Sequence, residues 1–440
     1  MNIGLVPALN PAFGGSHQYT LAMLTAWAGL SKSPSEGDSF TLFLRDAEKT
    51  LVESLIPDAV GRKVIYSSFQ DKILSLIKRL VGQGFMREAV GKARQQLSTR
   101  KIEDPGQIRY SGYFRKWLSR YGIDWVLYTG PDARSFESDV PYVMPIFDLQ
   151  HRLQPEFPEV SADGEWEHRE YLYRHGTRNA TLLLADSETG KQDILDCYAS
   201  FGVTADKIVV LPYVPPPYLD SVVPQSERQR VRALYRLPDR FLFYPAQFWP
   251  HKNHLRVIQA LAQLKRTKGI VVPLVLCGTY RGDLRTRVYG QLMTEARRLN
   301  VDSQIHYLGY VPNEVMSVLY SEATGLVMPT FFGPTNIPVV EAWMLDCPVI
   351  TSDIRGIREQ VGDAGVLVDP RSVDAIADGM RRVWESSDLR GDLARRGKAR
   401  VSEFTVQEYG HRLADIVQEA NARVRGKRSP ADIRETIRGN

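Results

Sequence analysis

Short apolar runs bounded by polar or turn residues recur through most of the chain and alternate with segments of helical spacing. Continuous runs of this length predict strands buried on both faces, as in parallel sheets covered by helices. In the first half the candidate strands are NIGLVPAL (2–9), SFTLFL (39–44), RKVIYS (62–67), DWVLYTG (124–130), PYVMPIFD (141–148), ATLLLADS (180–187) and KIVVLP (207–212). In the second half they are RFLFYPAQ (240–247), VVPLVLCG (271–278), QIHYLGYV (304–311), TGLVMPT (324–330), CPVITSD (347–353) and AGVLVDP (364–370). The pattern predicts an α/β protein with two doubly wound units.

The length of the chain and a proline run suggest where the two units divide. A chain of 440 residues is too long for one ordinary core, so we expect two domains. Pro215 to Pro217 follow the last strand of the first series and predict a stiff interdomain hinge. We therefore expect one Rossmann-like domain over 1–216 and a second over 217–404. Residues 405–440 would form a long amphipathic helix followed by a basic tail.

Composition narrows the class of protein and of partner. The net charge of +5 suits anionic ligands or a membrane surface and does not by itself indicate nucleic acid. Cys197, Cys277 and Cys347 lie far apart without ligand spacing, which predicts a reducing compartment. The N-terminal sequence lacks the features of a signal peptide, and no run reaches about 18 apolar residues. We expect a cytoplasmic protein without a membrane span.

Residues 71–101 interrupt the α/β rhythm with eight basic residues and two acidic ones, Asp71 and Glu88. Leu74, Ile77, Leu80 and Val81 could share one helical face. One interpretation is a basic helical insertion that packs on the core and faces solvent. The other is a patch for peripheral contact with anionic lipid or a lipid-linked acceptor, at the inner face of the cell membrane.

Two loops that follow predicted strands carry candidate residues for binding an anion. Gly14 and Gly15 stand between the first strand and a helix, where the backbone can approach a phosphate closely. A plain tight turn is the alternative, and His17, two residues further on, is an acceptor-side candidate. Lys252 and Asn253 lie in the turn after RFLFYPAQ, where a lysine could neutralise a diphosphate leaving group. A capping and solvation role for Lys252 is the alternative.

The segment FFGPTNIPVVEAW (331–343) gives the strongest signal. Its loop can present backbone N–H groups to a ligand and comprises Gly333, Pro334, Thr335, Asn336 and Ile337. Pro338 suits a first helical turn, and we expect Glu341 in that turn, near the positive end of the helix dipole. A carboxylate there could accept hydrogen bonds from vicinal hydroxyls such as those of a ribose, or it could merely complement the dipole.

PIFDLQHRLQPEFPEV (145–160) places Asp148 at a strand end and His151 three residues later. Either side chain could orient an acceptor hydroxyl or take its proton. Both residue types also serve as simple loop anchors in this position. No HExxH, HxxxH or carboxylate cluster predicts a protein-held metal, and GxSxG is absent.

Together these segments resemble the family 4 retaining glycosyltransferases of GT-B fold, in which two Rossmann-like domains face a central cleft. The resemblance rests on GG (14–15), FDLQH (147–151), LLLADSETGKQDIL (182–195), PHKN (250–253), LGYVPNEVMSVLYSEA (308–323) and IPVVEAWMLDCPVITSDIRGIREQVGDAGVLVDP (337–370). It implies transfer of a sugar from a nucleotide diphosphate sugar to a hydroxyl of a glycan or lipid-linked acceptor. It also implies retention at the anomeric carbon, no obligatory metal and no cofactor beyond this co-substrate, as in bacterial polysaccharide or O-antigen synthesis.

The resemblance also assigns roles to residues. It implies that Lys252 binds the donor diphosphate, that Gly15 backs the phosphates and that Tyr310 flanks the base. Glu341 would bind the ribose, loop 333–337 would contact phosphate and sugar, and the last helix would return to the N-terminal domain. The predicted catalytic residues are Asp148, Lys252 and Glu341.

Three positions depart from the family pattern. Gly333 stands where the first of two spaced glutamates is usual, Gln247 where a phosphate-binding arginine is common, and Phe147 where a histidine precedes Asp148. Two alternatives remain open at this stage: a glycosyltransferase-like binding subunit without catalysis, and an epimerase or phosphorylase of the same fold. The nucleotide, sugar, acceptor and oligomeric state are not encoded in spacing.

Overall fold

The computed structural model describes residues 1–10, 14–32, 38–45, 48–55, 62–66, 104–216, 219, 223–403 and 405–427. The basic segment 71–101, the tail beyond Lys427 and Pro217 of the predicted hinge lie outside the described residues. Among the helices within these ranges, none is both long and apolar enough to cross a bilayer.

The first half of the described chain forms a parallel sheet of seven strands in the order β3-β2-β1-β4-β5-β6-β7. Leu5 in β1 pairs with Leu42 on one side and Leu127 on the other, so the sheet centre is apolar on both sides of β1. The strands are β1 (Asn2–Val6), β2 (Ser39–Leu44), β3 (Arg62–Ile65), β4 (Trp125–Tyr128), β5 (Tyr142–Ile146), β6 (Leu182–Ala185) and β7 (Ile208–Val210).

The second half repeats this architecture with six described strands in the order β10-β9-β8-β11-β12-β13, again all parallel. Phe243 in β8 pairs with Val275 and Leu326 on its two sides. The strands are β8 (Leu242–Pro245), β9 (Leu274–Cys277), β10 (Ile305–Tyr307), β11 (Gly325–Met328), β12 (Val349–Ser352) and β13 (Val366–Val368). Every predicted strand is confirmed, and so is the fold class of two Rossmann-like α/β units.

Helices connect the strands in both halves. In the described ranges the first half contains α1 (Gly15–Lys32), α2 (Lys49–Leu55), α3 (Gly112–Arg120), α4 (Arg134–Glu137), α5 (Gln150–Leu153), α6 (Pro158–Ser161), α7 (Glu165–Asn179) and α8 (Glu188–Tyr198). The second half contains α9 (Gln225–Tyr235), α10 (His254–Lys268), α11 (Asp283–Arg298), α12 (Asn313–Glu322), α13 (Ile337–Met344), α14 (Arg355–Val361), α15 (Val373–Glu385), α16 (Ser387–Ser402) and α17 (Val406–Lys427).

The last helix, α17, packs on the first sheet rather than on the second. Leu413, Ile416 and Val417 belong to the same buried apolar cluster as strands β1, β2 and β4. Asn421 accepts a hydrogen bond from Trp125 Nε1 at 2.8 Å and donates from its amide to Asp38 Oδ2 at 2.9 Å. The N-terminal core is therefore built from both ends of the chain.

The strand order fixes where a ligand can enter. In each sheet the order reverses beside the first strand, between β1 and β4 and between β8 and β11. Such switch points open a crevice at the carboxyl ends of the strands, where open α/β sheets bind their ligands. The loops after β1, β8 and β11 lead from these points.

Candidate functional site

The glycine loop after β1 lies against the second domain. A Cβ atom at Gly14 would stand 3.8 Å from Gln247 Nε2, and one at Gly15 would stand 3.5 Å from Ile337 Cδ1. Gly14 has φ of +52°, a conformation that a side chain would strain. The structure thus brings Gly14, Gly15, Gln247 and Ile337 together where the two switch points face each other.

Lys252 ends a short 3-10 turn, Pro250–Lys252, directly before α10. Burial lowers the pKa of Lys252 to about 8, while the carboxylates of Asp148 and Glu159 from the first domain act in the opposite direction. A lysine in this state is still largely protonated at neutral pH and faces negative charge across the cleft. This is a suitable environment for a cation that binds phosphate.

The side chain of Asn253 is engaged within its own domain. Its side-chain amide donates to Pro329 O at 2.8 Å and to Pro370 O at 2.7 Å, and the residue is 4% exposed. Its backbone adopts φ of +60°, which asparagine tolerates better than most residues. Asn253 therefore fixes the turn that carries Lys252, and the expected donor contact is not supported.

A carboxylate of the first domain holds the residue before Lys252. Glu159 Oε1 accepts the backbone N–H of His251 at 2.9 Å and lies 2.6 Å from His251 Nδ1. The His251 ring stacks on Phe332 with centroids 3.9 Å apart. Phe157, two residues before Glu159, contacts Phe332 as well, with centroids 5.1 Å apart. Sequence analysis missed Glu159, because nothing in local spacing marks a partner in the other domain.

The loop 333–337 is held mainly by side chains of its neighbours. Gly333 O accepts a hydrogen bond from Gln150 Nε2 at 3.2 Å across the cleft. Asn336 N donates to Gln360 Oε1 at 2.9 Å, and its carbonyl accepts from Gln360 Nε2 at 2.9 Å. The sequence predicts that the backbone N–H groups of this loop face a ligand. For Asn336 this prediction is wrong, because its N–H is bonded to Gln360.

Pro334 and Thr335 of the second domain contact the first domain directly. A Cβ atom at Gly190 in α8 would stand 3.3 Å from Pro334 Cγ, and one at Gly356 in α14 would stand 2.3 Å from Pro334 O. Thr335 Oγ1 donates a hydrogen bond to Asp186 Oδ2 of the first domain. Pro334 therefore fits between two helices that both need glycine at the point of contact.

Helix α8 is capped from both domains. The Ser187 hydroxyl, at the N-cap, accepts the N–H of Gly190 at 3.0 Å. The two carboxylate oxygens of Glu359, from α14, accept the N–H groups of Glu188 and Thr189, each at 2.8 Å. An acidic side chain at a helix N-terminus satisfies donors that have no intrahelical partner.

Glu341 lies one turn deeper in α13 than the sequence predicted. It is the fifth residue of the helix Ile337–Met344, so its expected place in the first turn is wrong. The residue is 5% exposed, and its Oε2 accepts a hydrogen bond from Tyr320 Oη at 2.6 Å. Pro338 does occupy the first turn. Tyr320 thus fixes the orientation of the carboxylate.

Asp148 and His151 follow β5 but face different surroundings. Asp148 Oδ1 pairs with Arg169 and accepts the N–H of Gln150 at 3.1 Å, and about a quarter of its side chain remains exposed. His151 is fully buried, with Nε2 3.2 Å from Tyr198 Oη and 3.4 Å from Glu170 Oε2. Burial lowers the pKa of His151. This enclosure contradicts the predicted contact between His151 and an acceptor.

Two further candidates lie at the edge of the site. Tyr310 is 74% exposed, so the ring is accessible to a ligand but does not pack against the domain. His17 is half-buried in the first turn of α1, and burial lowers its pKa. Its Nδ1 is buried without a hydrogen-bond partner in the described part of the chain.

Across the described ranges, no group of three or more His, Cys, Asp or Glu side chains could hold a metal ion.

Comparisons with known proteins agree with this geometry. Residues 225–400, most of the second unit, match the family model of group 1 glycosyl transferases. HepE from Anabaena, solved with UDP-glucose, superposes with a TM-score of 0.66 over 95% of this chain and 99% of its own, at 18% identity. The structural likeness shows the fold of two Rossmann-like domains, and the match to the family model lies within the second unit.

Two proteins that this chain resembles in sequence have named activities. The O-antigen chain mannosyltransferase B of Escherichia coli is 29% identical over 281 residues, which cover 61% of this chain and 71% of the relative. The alpha-D-kanosaminyltransferase of Streptomyces kanamyceticus is 22% identical over 250 residues, which cover 56% of this chain and 62% of that enzyme. Both relatives are sugar transferases, and the first acts in O-antigen synthesis.

Proposed function

We propose that the protein is a retaining, metal-independent glycosyltransferase. It moves a hexosyl group from a nucleotide diphosphate sugar to a hydroxyl of a growing polysaccharide or lipid-linked glycan. The likeness to an O-antigen mannosyltransferase supports this acceptor class and makes mannose the first sugar to test. The proposed catalytic residues are Asp148, Lys252 and Glu341.

One observation carries the proposal. The glycine loop after β1, the Lys252 turn after β8 and the loop 333–337 after β11 converge at two facing switch points. This arrangement provides a backbone that a ligand can approach closely at Gly14 and Gly15, a cation at Lys252 and an oriented carboxylate at Glu341. A nucleotide diphosphate sugar requires these groups for its phosphates and its ribose.

The chemistry follows from these positions. Lys252 and the glycine loop stabilise the negative charge that develops on the departing diphosphate, which is the largest contribution available to the protein. The glycosidic bond to the leaving oxygen breaks as the acceptor oxygen approaches from the same face, and a phosphate oxygen takes the acceptor proton. Asp148, held by Arg169, orients the acceptor hydroxyl. Glu341, oriented by Tyr320, accepts the ribose hydroxyls.

Ligand-dependent thermal unfolding tests this function first. We expect one of UDP, GDP, dTDP and ADP, at about 1 mM, to raise the Tm clearly, since substrates bind at or below this concentration. The matching sugar nucleotides are then supplied with lipid-linked glycan acceptors, and transfer with retained anomeric configuration is measured by NMR. No stabilisation by any of the four nucleotides would refute the proposal.

We further propose that residues 71–101 bring the enzyme to an anionic membrane that carries its acceptor. The eight basic residues of that segment support this proposal. Co-sedimentation with vesicles of phosphatidylglycerol should fall when Lys72, Lys78 and Arg79 are changed to glutamate. Unchanged co-sedimentation of that variant would remove the membrane role and leave the transferase proposal intact.

A further inference from the structure

An arginine from a neighbouring helix reaches the cleft residue Gln247. Arg285 Nη1, in α11, donates a hydrogen bond to Gln247 Oε1 at 2.6 Å. Trp249 Nε1 donates to the same oxygen at 3.2 Å. Because this carbonyl oxygen has two lone pairs, the two donors fix the orientation of the Gln247 side chain. The Nε2 end of Gln247 lies on the side of Gly14.

The guanidinium of Arg285 also contacts the Trp249 ring and lies close to Gly282. Its Cζ lies 4.7 Å from the centroid of the Trp249 ring, within the range of a cation–π contact. A Cβ atom at Gly282 would stand 3.3 Å from Arg285 Nη2. Glycine at position 282 therefore leaves the room that the guanidinium occupies.

The charge of Arg285 is not neutralised by these contacts. Both of its supporting groups, an amide and an indole, are uncharged. Burial lowers the pKa of Arg285, and no carboxylate of the described residues counteracts this effect. Arginine nevertheless keeps its proton at physiological pH, so a cation persists beside the cleft.

Arg285 and Lys252 flank the same turn. Trp249, which supports Arg285, accepts the N–H of Lys252 at its carbonyl at 3.0 Å. The turn therefore carries one cation of its own and holds a second from α11. The glycine loop of the other domain faces this turn through Gln247.

We propose that Arg285 is a second binding residue for the diphosphate of the donor, held in place by Gln247 and Trp249. This inference rests on the proposed function, because it assumes a nucleotide diphosphate in the cleft. A planar guanidinium can donate two parallel hydrogen bonds to phosphate oxygens, which a lysine cannot. The neutral Gln247 thus acts by positioning a cation that lies 38 positions further along the chain.

The test compares R285Q with R287Q, a matched exposed arginine on the same helix. Titration calorimetry uses the nucleoside diphosphate that stabilises the wild type most, and its parent nucleoside as the phosphate-free probe. We expect R285Q to weaken the diphosphate about 10-fold or more, equivalent to about 1.4 kcal/mol, and to leave the nucleoside unchanged. R287Q should stay within about twofold of the wild type for both probes.

Two more variants separate binding from folding. R285K keeps a cation and should bind the diphosphate more tightly than R285Q. The double variant Q247R/R285Q returns a guanidinium to the same place from the other side chain and should regain most of the lost affinity. Diphosphate binding by folded R285Q within about twofold of the wild type would overturn the inference alone. A wild type that binds no nucleoside diphosphate would overturn both the inference and the proposed function.

Discussion

His251 Nδ1 lies 2.6 Å from Glu159 Oε1, and the same oxygen accepts the His251 backbone N–H at 2.9 Å. The two residues belong to different domains, and His251 directly precedes Lys252. Burial lowers the pKa of His251 to about 4, so the ring is neutral at physiological pH. A neutral imidazole that hydrogen-bonds a carboxylate through Nδ1 carries its proton there. The pair fixes the proposed phosphate-binding turn relative to the first domain.

Changing Glu159 to alanine should therefore impair catalysis more than folding. The variant loses both hydrogen bonds that join the Lys252 turn to the first domain, and we expect kcat/KM to fall about 10-fold. E159Q retains an accepting oxygen and should lose less. The control is E156A, an exposed glutamate of the same segment. Steady-state kinetics with a saturating acceptor measures the effect, and equal activity of E159A and E156A would contradict a positioning role.

Activity should depend on the protonation of Lys252. Burial lowers the pKa of Lys252 to about 8, and only the protonated form neutralises the diphosphate. The kcat/KM should therefore decline as the pH rises through about 8, and the corresponding limb of kcat should lie at higher pH because the bound diphosphate favours the cation. K252A should lose at least about 10-fold in kcat/KM at pH 7, or about 1.4 kcal/mol.

Arginine at position 252 tests whether the decline near pH 8 comes from deprotonation of Lys252 or of another group. K252R stays charged, so its remaining activity should not decline near pH 8. The exposed Lys268 provides a control, since K268A should behave as the wild type does. A K252R profile with the same limb as the wild type would assign that limb to another group.

Tyr320 should matter for catalysis through Glu341. The Tyr320 hydroxyl donates to Glu341 Oε2 in a buried site, so Y320F leaves the carboxylate without one of its orienting donors. We expect E341A to lose at least about 10-fold in kcat/KM, and Y320F to lose less, with the loss in donor KM rather than in kcat. Initial rates over a range of donor concentrations separate the two terms. Wild-type KM values in both variants would speak against a ribose contact at Glu341.

Stability should depend on pH through Asp186 at the domain contact. Burial raises the pKa of this carboxyl from its ordinary 3.8 to about 7, although Thr335 and Ser187 donate hydrogen bonds to it. The folded state therefore binds more protons than the unfolded chain between about pH 4 and 7. The stabilising contribution is full below this window and is lost as the pH rises through it.

D186N stays neutral throughout, which makes this effect measurable. The difference in Tm between D186N and the wild type should shift in favour of the variant as the pH rises from about 5 to 7.5. D196N changes an exposed aspartate of α8, the helix that follows Asp186, and should follow the wild type. A difference that does not vary with pH would show that Asp186 is not the titrating group.

Two glycines near Pro334 should respond to alanine to very different extents. A Cβ atom at Gly356 would stand 2.3 Å from Pro334 O, so G356A must displace backbone and should reduce the free energy of unfolding by roughly 1–3 kcal/mol. At Gly333 the nearest atom, Ile354 Cδ1, would be 3.7 Å away. G333A should therefore change stability by less than about 0.5 kcal/mol. Urea unfolding of both variants tests this, and equal losses would contradict the contact geometry.

The sequence predicted the fold well because buried parallel strands leave a strong local signal. Runs such as LFYP in β8 and LLLA in β6 are apolar throughout and end at polar turns. Once the strands are known, parallel pairing gathers their carboxyl ends, and the loops with Lys252 and Pro334, which follow the neighbouring strands β8 and β11, must come close. The roles assigned to these loops remain predictions.

Side-chain direction was harder to predict. His151 and Asn253 both follow a strand and a short turn, yet both turn inward and satisfy buried groups. Residue type and spacing are the same for a side chain that faces the cleft and for one that faces the core. Glu159 and Arg285 were missed for a different reason. Each acts on a turn that is distant in the chain: Glu159 reaches it from the other domain, and Arg285 from another helix of the same domain.

The packing of α17 also constrains when the first domain can form. Helix α17 covers apolar residues of β1, β2 and β4, and Asn421 hydrogen-bonds to both Trp125 and Asp38. During synthesis the ribosome delivers these strands hundreds of residues before the helix that covers them. The apolar face of the nascent N-terminal domain must therefore stay uncovered, and open to chaperones, until α17 has been synthesised.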